Sequence, residues 1–83
     1  MTDAEIKKLG QIIVKCNKNH DVPDLHSFII DTTGGKAFVD CKEHAVEIDV
    51  RTSEGERKIT ATDAICAAVQ LDRLGADIHT IEM

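Results

Sequence analysis

The chain has no tryptophan and no tyrosine, and Phe28 and Phe38 are its only large aromatic residues. It also lacks basic charge, with 10 lysines and arginines against 15 acidic residues and a formal net charge of −5. Gripping phosphates and stacking bases takes a basic stripe with interleaved aromatics. No such stripe exists, so no direct nucleic-acid partner is expected. The acidic balance would suit a basic protein partner, although −5 is too modest for a DNA mimic. No apolar run approaches the roughly 20 residues of a membrane-spanning helix, so no membrane role is expected. The polar start MTDAEIKK does not read as a secretory leader. Three cysteines, an odd number without such a leader, then read as reduced thiols, and a cytoplasmic location is expected. Pro23 is the sole proline, and no Gly/Ser-rich linker or low-complexity segment divides the chain. A single domain over 1–83 follows, near the lower size limit for folding without a staple. Nothing repeats: the even spacing of Cys16, Cys41 and Cys66 falls among flanking residues of different types.

What is present is aliphatic, and its order is informative. Thr2-Asp3-Ala4-Glu5 has the spacing of a capping box. Ile6, Leu9, Ile13 and Cys16 follow at helical steps, so a helix is expected from Thr2 or Asp3 to Lys18. The β-branched run Gln11 to Cys16 leaves a shorter helix ending at Gly10, followed by a strand, as the rival. A polar loop covers Asn17 to Asp24. Leu25 to Asp31 reads as a strand before the turn Thr32-Thr33-Gly34-Gly35. Lys36 to Lys42 is either its return strand or a short helix.

The second half is clearer. Val46, Ile48 and Val50 alternate with Glu47, Asp49 and Arg51, the pattern of a half-buried strand. Ser53 to Glu56 form a polar turn in which Gly55 can take a positive φ, and Lys58 to Thr60 return as a short strand. A helix follows, capped by Thr60 or Thr62, with Asp63 in its first turn. Ala64, Ile65, Ala68, Leu71 and Leu74 form its expected apolar stripe, with Asp63, Gln70 and Arg73 solvated. Gly75 is the expected stop. Ile78 and Ile81 lie in a last strand of uncertain register, because residues three apart do not alternate.

From Asp63 to Ile81, DAICAAVQLDRLGADIHTI resembles the second half of HPr, the phosphocarrier family of the sugar phosphotransferase system. Ile65, Cys66, Ala67 and Leu71 stand in the positions of that family's short helix. Gly75, Ala76, Asp77 and Ile78 stand in its following strand, and Val46-Glu47-Ile48-Asp49-Val50 resembles its second strand. The resemblance implies an α+β open-faced sandwich: a four-stranded, mostly antiparallel sheet with two or three helices on one face. It also implies a phospho-acceptor histidine within a His-x-Arg-Pro run. His20 and Pro23 keep that spacing, but Val22 replaces the arginine and Asp21 and Asp24 flank the site. A phosphorylated imidazole favours positive charge and helix-start N–H groups. The family ends in a long helix, where this sequence stops at Met83.

Other candidate chemistry is weighed residue by residue. Cys16, His20, Cys41 and His44 offer the two thiols and two imidazoles of a structural zinc site, though without the close Cys-x2-Cys spacing that marks one. The plainer reading makes Cys16 a core residue and His20 a loop residue. Cys66 near a helix start could be a nucleophile, but its alanine neighbours favour a buried structural thiol. Glu47, Asp49, Glu54 and Glu56 read as a solvated face. Gly34-Gly35-Lys36 lacks the length of a phosphate-binding loop and reads as a turn.

No cofactor is therefore expected. The function expected is that of a small, acidic, non-enzymatic binding or regulatory module acting through protein–protein contact or self-association. Asp77, Ile78, His79, Thr80 and Ile81 are the expected contact residues, because a terminal strand can leave an edge open. A phosphocarrier using His20 and a Cys/His zinc module are the alternatives.

Overall fold

The computed structural model describes residues 1–82. Thr2 and Glu5 open the first helix, α1 (Asp3–Lys18), as reciprocal caps. The Thr2 N–H donates to Glu5 Oε1 at 2.9 Å, and the Glu5 N–H donates to Thr2 Oγ1 at 3.1 Å. The helix runs unbroken through Gly10 and buries Leu9, Ile13 and Cys16, so the single-helix reading holds. The β-branched run stays helical because its apolar residues supply the buried face, and tertiary packing outweighs propensity.

A four-strand meander follows: β1 (Ser27–Thr32), β2 (Gly35–Cys41), β3 (Val46–Thr52) and β4 (Gly55–Ala61). The ambiguous middle segment is a hairpin, with Thr33-Gly34 as its loop and Gly34 at φ 79°. The hairpin requires glycine at its return as well. A Cβ on Gly35 would run into the Arg51 carbonyl of the neighbouring strand. The expected short strand Lys58–Thr60 extends over the whole of β4, paired residue by residue with β3.

The second helix, α2 (Ala64–Arg73), carries the chain from β4 at one edge of the sheet to β5 (Asp77–Glu82) at the other. Its cap is Asp63 and not Thr60 or Thr62. The Asp63 carboxylate accepts the Cys66 N–H at 2.8 Å, a spacing open only to the residue just before the first turn. Gly75, at φ 73°, ends the helix as expected.

The sheet order is β4-β3-β2-β1-β5 and every pairing is antiparallel. The domain is thus small and α+β, but the expected four strands are five and the helices are two. The miscount arose at the middle segment, where a short apolar run left helix and strand undecided. Phe28, Ile30, Ala37, Val39, Cys41, Val46, Ile48 and Val50 turn one sheet face into the core. Leu9, Ile13, Ala67, Ala68 and Leu71 close it from the helix layer.

Ile65 does not belong to that closure. It is 74% exposed, and the buried residues of α2 are Ala64, Ala67, Ala68 and Leu71. The expected stripe lay rotated toward solvent, because Ala67 rather than Ile65 meets the sheet. Small alanines there let α2 lie close to the strands beneath it.

Candidate interaction site

The two edges of the sheet differ in kind. β4 carries Glu56, Arg57 and Lys58 in succession, all exposed, and consecutive charges discourage an incoming strand. β5 has β1 on one side and no strand among the described residues on the other. It contains Ile78, His79, Thr80 and Ile81 between Asp77 and Glu82. Met83, included in the sequence-based expectation for this terminal segment, lies outside the described residues.

The pairing of β5 with β1 explains the three-residue spacing of its isoleucines. Asp31 faces Asp77 and Ile29 faces Glu82, so β5 spends more residues than β1 over the same stretch. This bulge re-aims the strand. The Asp31 N–H donates to Thr80 Oγ1 at 2.8 Å. Ile78 is consequently buried, and Ile81 packs half-buried against the core. That local widening settles the register left uncertain by their spacing and turns these two expected contact residues away from solvent.

What β5 presents outward is polar side chain and backbone. The Asp77 carboxylate accepts the His79 N–H at 3.0 Å, and the Thr80 hydroxyl donates to the Asp77 carbonyl at 2.7 Å. Those two contacts cap one donor and one acceptor of the strand. From above, α1 reaches it through Glu5, whose Oε2 lies 3.4 Å from His79 Nε2. The Glu5 carboxyl is held below the usual carboxylate range, first by the Thr2 backbone and hydroxyl, with His79 adding a smaller pull.

The exposed sheet face, by contrast, is laced with its own partners. Asp40 receives His26 Nδ1 at 3.0 Å and Lys42 Nζ at 3.0 Å. Partial burial would raise its carboxyl, but these two partners outweigh that and hold it low. Arg51 lies 4.6 Å over the ring of Phe38 and 3.4 Å from Glu56, and Lys58 meets Glu47 at 3.5 Å. Of the carboxylates read from the sequence as a solvated face, Glu47 and Glu56 are ion-paired there.

The Cys/His set divides between two surroundings. Cys16 and Cys41 are both buried and interact with each other. Burial pushes Cys16 up and Cys41 up to about 12, which keeps both as thiols. His20 and His44 instead flank a shallow cavity at the other end of α1. His20 Nδ1 lies 3.1 Å from the Asn17 carbonyl, and its Nε2 lies 3.9 Å from Glu43. His44 is almost fully exposed, 3.6 Å from the same carboxylate. Among the described residues, no three His, Cys, Asp or Glu side chains converge as a metal site.

Lys18 and the start of α2 also line the His20 cavity, together with Glu43 and Asp63. Of the N–H groups at the start of α2, that of Cys66 is held by the Asp63 carboxylate. Cys66 itself is exposed, not buried as expected. It stands three residues after Asp63 on the rim of α2, while Ala64 and Ala67 face inward.

Sequence reasoning missed one surface altogether. Between α1 and α2 runs an apolar groove of about 520 Å³, lined by Ile6, Gly10, Val14, Ala64, Ile65 and Ala68. The signal was available: α2 carries apolar residues around more of its circumference than one buried stripe requires, with Ile65 and Val69 one turn apart beside the alanines.

Compared with known protein families, with characterised proteins and with solved structures, the chain shows no match.

Proposed function

We propose that this chain is a small non-enzymatic binding module that takes an extended segment of another protein onto the outer side of β5. The observation that carries this reading is the contrast between the two edges. β4 is guarded by three consecutive charged residues, while β5 holds His79 and Thr80 at its middle and has no strand beyond it among the described residues. Strand addition draws its affinity from main-chain hydrogen bonds, which such an edge supplies. Because Ile78 and Ile81 turn inward, selectivity would rest on Asp77, His79, Thr80 and Glu82. The buried Cys16 and Cys41 support a reading without thiol chemistry, while the His20 cavity sets Glu43 and Asp63 against Lys18 and the start of α2.

The experiment is a pull-down from native lysate with wild type and with His79→Pro and Thr80→Pro, each checked for folding. Proline removes a backbone N–H, at His79 the one that Asp77 accepts in the free chain, and at a true edge it leaves the fold intact. A folded proline variant that loses a captured protein supports the reading. It fails if both variants unfold, or if both fold and keep every partner.

A further inference from the structure

We propose that the outer face of the helix layer is a homodimer interface, on which a second copy of this chain docks with its α1 antiparallel to the first. Three observations converge on that occupant.

The first is shape. Ile65 stands out from α2 at 74% exposure, beside a groove whose floor includes Gly10 and Ala68. A projection and a recess on one face are self-complementary under a two-fold axis, where each Ile65 enters the groove of the other chain.

The second is glycine. Gly10 lies at the middle of α1, where glycine is among the poorest helix formers. Nothing inside the chain asks for it, because a Cβ built there would meet no atom within 4 Å. A partner approaching the helix backbone supplies the reason.

The third is charge. Asp3 and Lys18 sit at opposite ends of α1, equally far from the point between Gly10 and Gln11. At about 100° per residue, Asp3, Gly10, Val14 and Lys18 fall within about 80° on one face. Neither Asp3 nor Lys18 makes an ion pair within the chain among the described residues. An antiparallel copy crossing at Gly10 brings each Asp3 to the partner's Lys18, twice by symmetry. A parallel copy would set like charges together. An interface of standard size takes about 800 Å² from each chain, under a fifth of the 5183 Å² this chain exposes, so one helix layer suffices.

The full chain tests this by sedimentation equilibrium at low salt, up to about 1 mM, the concentration range of weak association. Wild type should dimerise. Ile65→Glu, at an exposed position, should raise the dimer Kd about tenfold or more, with the helical circular dichroism unchanged. Gly10→Leu should do the same by filling the groove floor. Asp3→Lys alone and Lys18→Glu alone should each be monomeric, since each sets two like-charge pairs across the axis. Mixed one to one, the two variants should form a heterodimer, because both pairs are then opposite in sign. A wild type that stays monomeric overturns the proposal, as does a dimer that survives Ile65→Glu and both charge reversals. Failure of the mixed variants to pair overturns the antiparallel arrangement. Loss of association on His79→Pro, but not on these changes, would place self-association at β5.

Discussion

Cys41 of β2 and Cys16 of α1, far apart in sequence, are both buried and interact where helix and sheet close the core. Burial holds both protons on, with Cys41 at about 12. The thiolate is the reactive form, and Cys66 alone of the three is exposed. Ellman titration of the native protein should therefore count one fast thiol, rising to three in denaturant. Three fast thiols in the native state would show that the α1–β2 contact is open.

Leu71 is fully buried beneath α2. Leu71→Ala should cost about 2–5 kcal/mol through lost transfer energy and a cavity, read as a lower urea midpoint at unchanged slope. Ile65→Ala, on the same helix but facing out, should leave that midpoint nearly where it was. Equal losses would put Ile65 back in the core.

Two glycines should respond in opposite directions. Gly10 is helical with open space around it, so Gly10→Ala should stabilise the monomer by about 0.5–1 kcal/mol. Gly75 sits at φ 73°, and a Cβ there would strike Thr33, whose N–H donates to the Leu74 carbonyl at 3.0 Å. Gly75→Ala should destabilise by loosening the β1–β2 turn from the end of α2. Thermal melts of the two variants, one above wild type and one below, check this.

Glu5, Asp40 and Asp63 all have carboxyls held below their ordinary values in the fold: Glu5 by Thr2, Asp40 by Lys42 and His26 against its partial burial, and Asp63 by the Cys66 N–H. A group whose pKa is lowered on folding stabilises the fold above its unfolded value, about 4 for a carboxylate, and loses that contribution as pH falls through the folded value. The contribution of these carboxylates should thus be complete at about pH 5 and above and be lost as pH falls below about 4. Asp63→Asn, which keeps a capping oxygen without the charge, should make the decline shallower. An acid profile unchanged in Asp63→Asn would remove Asp63 from this account.

The parts of this fold legible in sequence are those fixed by neighbours a few residues apart. The Thr2–Glu5 box, the Gly55 and Gly75 positions and the alternation of Val46, Ile48 and Val50 depend on local geometry, and the structure holds each one. What could not be read depends on distant contacts. Ile65 and Ala67 both suit a helix face, and only the placement of the sheet decides between them. The middle hairpin is settled by β3, which pairs with β2 across a loop closed from Lys42 to Ala45. The β5 bulge follows from Thr80 bonding to Asp31, a partner no periodicity reveals. The terminal strand was legible, and the α1–α2 groove was not, because a groove exists only once two helices lie side by side.

The measurement that bears most directly on the role of β5 is amide hydrogen exchange of the chain alone and in complex with a captured partner. Strand addition predicts that amides between Asp77 and Glu82 gain protection on binding while those of β4 stay unchanged. Protection that appears on β4 or on the helices, with β5 exchanging as it does in the free chain, would contradict it.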